Sequence, residues 1–249
     1  MGPPSHAVTG TVAGVMAGVA FGGTTVLSRS MARDGLGAPT VLTIRFGIGG
    51  GILALLVLLT GRSLVPAKGE RLACFLLGAV GYAIESSLFF AGLQRGSAAA
   101  VTIIFYTYPA IVTAIEVVAG LARLTLRLAA AIVLAGAGTA VVVVAGGSVT
   151  LTSGAVAFTL SAAVSFALYL LASHRLLTKT DRMVGAAWAS GGAAVGLAVR
   201  YGLSGGFPSP AGFWPRLVGL GATSAAAFGL LFFALGHIGA ARSSIVLNM

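Results

Sequence analysis

Acidic residues are nearly absent from this chain. Of its 249 residues only 5 are Asp or Glu, beside 15 Lys or Arg, 3 His and one cysteine. The few that exist form no metal-ligand cluster and no nucleophile–base set, so an integral-membrane enzyme is disfavoured and no cofactor or metal is expected. Cys74 permits no internal disulfide and, inside an apolar run, reads as a small packing residue. No basic stretch precedes the first apolar run, so no cleaved signal peptide is expected. Charged residues make up only 8% of the chain, where a soluble domain carries about a quarter.

Apolar residues, by contrast, reach 57%, and mean hydropathy is +1.03. Such a chain cannot cover itself with polar surface in water, so its solvent is lipid. The net charge of +10 would suggest nucleic acid in a soluble protein. Here the basic residues fall mostly between apolar runs, which points to orientation in a bilayer and to no nucleic-acid partner. The 37 glycines also sit in apolar runs. Gly14, Gly18 and Gly22 recur at a spacing of four, as do Gly47 with Gly51 and Gly192 with Gly196. Small residues at that spacing let helices approach closely. None follows a strand, so they make no phosphate loop, and an ATP-driven pump is disfavoured.

A spanning helix needs roughly 20 mostly apolar residues. Eight runs qualify: Val8–Ser28, Pro39–Thr60, Leu72–Leu93, Ala98–Ala119, Leu128–Ala145, Gly154–Ala172, Met183–Val199 and Phe213–Leu235. A ninth begins near Ala240 and stops at Met249. The runs do not alternate polar and apolar residues as barrel strands would, so the fold class is all-α integral membrane. Connections on the N-terminal side carry Arg62, Lys68, Arg71, Arg123, Arg127, Arg175, Lys179, Arg182 and Arg242. The other side carries Arg29, Arg33, Arg95, Arg200 and Arg216, a bias that places the N-terminus in the cytoplasm.

The stretch LFFAGLQRGSAAAVTIIFYTYP (Leu88–Pro109) returns 143 residues later as LFFALGHIGAARSSIVLNM (Leu231–Met249). Both contain the end of one helix, a short turn at Gly96 or Gly239, and the start of the next. Two similar halves are expected, 1–148 and 149–249, either side of the break GGSVTLTSG. Five helices per half is odd, so the second half enters from the opposite face. Two inverted five-helix repeats, eight full spans and a truncated ninth, are the plan of secondary transporters with a midplane site.

Charges inside spans cost roughly 2.5–3.5 kcal/mol each. Three occur: Arg45, Glu85 and Glu116. Arg45 is six residues past Pro39, or about 9 Å deep, and Glu85 eight before Leu93, or about 12 Å from the same surface. They are candidates for an ion pathway, Glu85 as proton or cation site and Arg45 as its partner. The alternative is a structural ion pair, or an Arg45 that reaches outward. Glu116, near its helix end, reaches water, Arg123 or Arg127. Thr102, Tyr106, Pro109, Thr113 and Glu116 recur at spacings of four and three and share a helix face. Pro109 should kink that helix and free the carbonyl near Phe105. This face is either a cavity wall or a helix–helix seam. Tyr82, Glu85 and Phe89 share a face of the third run, and Ser161, Ser165 and Tyr169 one of the sixth; both could complete the pocket. Trp214 and Tyr201 fit interface anchors, and His174 and His237 solvated helix ends.

The chain resembles the drug/metabolite transporter superfamily, in its EamA-type ten-helix members. The resemblance rests on GVMAGVAFGGTTVLSR in the first run, Arg45–Phe46 after Pro39, the repeated hairpin, and LAGAGTAVVVV in the fifth run. It implies a secondary transporter, most simply an exporter, of amino acids, other metabolites or drugs by alternating access in the cytoplasmic membrane. Proton coupling and a homodimer are open within it. Two departures stand out. Gly120–Leu121 replaces the family's Gly-Glu, and the ninth helix ends before its proline, with no tenth. A fragment of a longer chain, or a membrane remnant or interaction partner without transport activity, are the alternatives these departures raise.

Overall fold

In a computed structural model of the chain, residues 6–121, 123, 125–145 and 152–248 are described. Those residues are helical, with no strand among them. The helices are α1 (His6–Arg33), α2 (Ala38–Leu59), α3 (Arg71–Leu93), α4 (Ala98–Phe105), α5 (Tyr108–Val118), α6 (Leu126–Ala145), α7 (Ser153–Leu176), α8 (Arg182–Leu203) and α9 (Trp214–Val246). Among the described residues, α1, α2, α3, α7, α9 and the stretch Ala100–Val118 are long and apolar enough to cross a membrane. The expected boundary between residues 148 and 149 lies outside the described residues, as does Met249.

Local chemistry explains where the helices begin. Prolines open α2, α5 and α9 at the first turn, where a missing N–H costs nothing. Ser97, Thr152 and Asp181 cap α4, α7 and α8 by accepting from backbone N–H groups of the first turn. The Thr152 hydroxyl also donates to the Arg95 carbonyl at 2.8 Å, tying the α3–α4 turn to the start of α7. The kink expected at Pro109 is a full break, because Tyr106 and Thr107 leave the helix between α4 and α5. In α9 the break is Gly239, at φ 75° and ψ 176°, a backbone only glycine adopts without strain. The residues after it climb back along α1, and Leu247 reaches Gly18.

Helix α8 is not among the helices apolar enough to cross a membrane, and its composition suits its place. It lies against α2, α3 and α9. Gly78 of α3 sits against the Ala189 carbonyl, and Gly192 and Gly196 of α8 sit against the Phe75 and Ala79 carbonyls. Backbones this close require glycine on the facing side. Around this contact α3 widens into a π-helical turn, Leu77–Tyr82, an irregularity common at functional sites. The outward faces are apolar: Val12, Met16, Val19 and Val26 of α1, and Leu160, Val164 and Leu168 of α7, are all exposed. Lipid is the medium that accepts such a surface.

One face holds the α1–α2 turn, and its opposite holds the α2–α3 connection. On the first, Arg216 pairs with Asp34, and the Thr40 hydroxyl donates to the Pro208 carbonyl at 2.7 Å. On the second, the Glu70 carboxylate accepts from the backbone N–H groups of Thr178, Lys179 and Thr180 at 2.9–3.1 Å, and from the Thr178 hydroxyl at 3.2 Å. Arg62 pairs with Asp181 at 2.8 Å, and the Trp188 indole donates to the Leu64 carbonyl at 2.7 Å. Burial works to raise the Glu70 carboxyl, but the hydrogen bonds from the Thr178–Thr180 segment outweigh it and hold the group down at about 2.

Replacing Gly78 with Ala drives a methyl group into the α8 backbone, an overpacking that costs about 1–3 kcal/mol; a lowered melting temperature in detergent checks it. Glu70 gives a pH prediction. Its carboxyl is depressed when folded, so its stabilisation is whole above the unfolded value of about 4 and is lost as pH falls toward about 2. The melting-temperature gap between wild type and Glu70→Gln should therefore stay constant between about pH 6 and 8 and shrink below about pH 4.

Candidate functional site

The described helices leave a cavity of about 700 Å³. Its walls are the second half of α1, the start of α2, the second half of α3, and α4 with its break, with Phe166 and Leu247 at the bottom. The lining includes the α1–α2 turn (Gly35, Leu36, Gly37) and the α3–α4 turn (Gln94, Gly96, Ser97), so the cavity opens at the α1–α2 face. It ends at mid-depth, on Arg45, Tyr82 and Glu85.

Beneath it the core is aromatic. The Tyr82 ring meets Phe228 at 4.7 Å, Phe46 at 5.1 Å and Tyr169 at 5.2 Å between centroids, all edge to face. Edge-to-face contacts add roughly 0.5–1.5 kcal/mol each to simple burial. No residue of the α2–α3 or α7–α8 connection lines the cavity.

Of the residues singled out from sequence, Arg45, Tyr82, Glu85, Thr102 and Tyr106 line the cavity together. Pro109, Thr113, Ser165 and Tyr169 do not. Pro109 and Thr113 are buried on α5, Tyr169 stands behind Tyr82, and Ser165 is half-buried on α7. Glu116 is half-buried near the end of α5, and the Arg127 side chain lies outside the described residues.

Arg45 and Glu85 share the cavity floor without a direct ion pair; among the described residues the ion pairs are Arg62–Asp181 and Arg216–Asp34. Glu85 is 5% exposed and accepts from the Ser86 hydroxyl at 3.1 Å. The Arg45 guanidinium lies 4.3 Å from the Phe46 ring centroid, an attraction of cation and π face. Arg45 Nε and the Ser28 hydroxyl have no hydrogen-bond partner in the protein. Buried polar atoms are ordinarily paired; these two donors are left unsatisfied within the protein beside the cavity. One fixed cation, one carboxyl, several hydroxyls and a wall of rings can hold a small molecule that is polar at one end and apolar at the other.

The sequence reading missed Tyr108, Ser86, Thr24, Ser28, Phe105 and Phe166, all on the cavity wall. Phe21, Thr24 and Ser28 share a helix face, so that signal was present. Tyr108 was hidden, because on an unbroken helix it points away from Tyr106. The break turns it inward, where its hydroxyl faces the Ser244 carbonyl at 3.1 Å and Asn248 Oδ1 at 2.9 Å. The Asn248 amide in turn donates to the Tyr106 carbonyl at 3.4 Å. The residues after Gly239 thus satisfy the backbone opened between α4 and α5.

A bundle of membrane-length helices around a polar cavity open to one face defines a membrane transporter of small molecules. The chain belongs to the EamA-like transporter family, whose model matches residues 8–144. A solved crystal structure, described simply as that of a protein, shares the fold. Its TM-score is 0.72 at 20% identity, over 97% of this chain and 86% of its own. No curated protein is similar in sequence.

Tyr108→Phe removes the hydroxyl that joins α5 to the chain after Gly239. The expected loss is about 1 kcal/mol of stability, read as a lower melting temperature in detergent with the helical circular dichroism unchanged.

Proposed function

We propose that this chain is a secondary transporter that exports small metabolites, amino acids or drugs across the cytoplasmic membrane by alternating access. The observation that carries this reading is the pairing of a cavity of about 700 Å³ open at one face with a tied, aromatic-filled opposite face. Cavities of about 300–1,000 Å³ are the size that holds small molecules. The moving parts would be two inverted halves, 1–148 and 149–249. The repeated hairpin supports this, as do the breaks that both halves carry, after Phe105 and at Gly239. With the excess of basic residues in the cytoplasm, the N-terminus lies inside and the cavity faces out. The direction, export, rests on the family resemblance. A homodimer is compatible with the exposed apolar helix faces and is not required by the cavity.

Glu85 is the proposed proton site. Among the described residues it is the one carboxyl side chain lining the cavity, and a carboxyl at mid-depth, facing a cavity rather than lipid, is the usual place for a proton relay. The neighbouring Arg45 would hold the carboxylate when a proton leaves, and Ser86 would orient it.

The test is flux in liposomes loaded with a panel of amino acids, other metabolites and cationic drugs. Wild type should move at least one class, with a rate that depends on pH. Glu85→Gln should keep binding and lose that pH dependence. A pH profile identical to wild type removes Glu85 from coupling. Folded wild-type protein that moves nothing on the panel favours a membrane protein without transport activity.

A further inference from the structure

We propose that the Glu70 carboxylate, seated on the Thr178–Thr180 backbone, is the releasable latch that keeps the cavity shut at the α2–α3 face. The proposal rests on the transporter reading and adds the device that gates it.

The arrangement differs from ordinary loop packing in three ways. First, the contacts join segments more than a hundred residues apart, the α2–α3 connection and the α7–α8 connection, which belong to opposite halves of the chain. A tie between halves must break if the halves rock. Second, the contacts are concentrated on one group. Glu70 accepts four hydrogen bonds from three consecutive residues, and the Thr180 hydroxyl answers by accepting from the Ala67 backbone N–H at 3.1 Å. Consecutive backbone N–H groups form a small anion-binding concavity, and a carboxylate on the opposing loop fills it. Third, the flanking ion pair is of the weaker, exposed kind, and the other flanking tie is the single Trp188–Leu64 hydrogen bond. The Arg62–Asp181 pair is largely solvent-facing, with side chains 58% and 39% exposed; pairs of that kind contribute little. Glu70, at 8% exposed, is the buried centre of the contact.

The latch is also suited to release. The Thr178–Thr180 segment is a short connection between α7 and α8, and Asp181 caps α8 independently through the Met183 and Val184 N–H groups. Withdrawing Glu70 leaves the Thr178–Thr180 N–H groups facing water and leaves α8 capped. Neither loop must unfold, so the closed and open states differ by an exchange of hydrogen bonds with water. The opposite face is tied by the Arg216–Asp34 pair and by the Thr40–Pro208 and Thr152–Arg95 hydrogen bonds, and there the cavity is open.

Thiol accessibility in oriented proteoliposomes tests this. The reporter is Ser86→Cys on the cavity floor in a Cys74→Ala background, probed with a membrane-impermeant methanethiosulfonate added to either face. With Glu70 intact, the Ser86→Cys thiol should react from the α1–α2 face and slowly from the other. Adding Glu70→Gln should raise reaction from the α2–α3 face about tenfold or more, the scale of losing charge-assisted hydrogen bonds. A monodisperse, folded Glu70→Gln protein with unchanged rates from both faces overturns the latch. A second variant covers the case in which Glu70→Gln does not fold. Ala67→Cys with Thr180→Cys, on the same background, places two thiols across the latch. Its oxidised form should block reaction from the α2–α3 face and its reduced form restore it; equal rates in both forms overturn the proposal. Flux is not the readout. A chain that moves no solute but shows these changes keeps the latch and loses the transport reading, and a chain that moves solute with unchanged rates does the reverse.

Discussion

The constraint on which this structure depends is the presence of Arg45 and Glu85 at mid-depth in a chain that otherwise offers lipid almost nothing polar. A charge there costs roughly 2.5–3.5 kcal/mol even by the mildest scales. The helices around them are arranged so that neither group meets lipid. Both end on the floor of a cavity that opens to one face, Arg45 against the Phe46 ring and Glu85 against the Ser86 hydroxyl. They share that floor without forming a direct ion pair. The cavity is therefore as much a requirement of two buried charges as a place for a solute.

The irregular backbone lies around that floor. The π-helical turn Leu77–Tyr82 precedes Glu85 by three residues and lets Tyr82 reach into the aromatic layer. The break at Tyr106–Thr107 turns Tyr108 inward, and the break at Gly239 sends Leu247 and Asn248 beneath the cavity. Backbone polar groups freed at membrane depth must find protein partners. Here the Asn248 amide meets the Tyr106 carbonyl. The break between α4 and α5 is held by residues that follow Gly239.

The two faces differ in the same physical terms. The α1–α2 face has short turns, one exposed ion pair and the Thr40–Pro208 and Thr152–Arg95 hydrogen bonds. The α2–α3 face has a carboxylate ringed by backbone donors over a layer of edge-to-face rings. The cavity's lining includes turns of the first face and, among the described residues, none of the connections on the second.

Much of this was legible in the sequence. Scarce charge and long apolar runs allow only helices in lipid, because strands need alternation and soluble domains need polar surface. A proline within a span and a glycine shared by two hairpins located both breaks. Residues at helical spacing, Tyr82 with Glu85 and Thr102 with Tyr106, reached the cavity because an intact helix carries its periodicity into space. Where the helix was not intact, periodicity misled: Thr113 follows Tyr106 at the proper spacing but lies beyond the break and away from the cavity, and Tyr108 lies within it. The Glu70 seat was not legible at all. Its partners are backbone N–H groups over a hundred residues away, and every residue carries such a group. Composition and spacing determined the medium, the helices and the charged residues that matter. Only the tertiary structure decided which helix faces meet, which face is closed, and what a lone carboxylate in a connection holds.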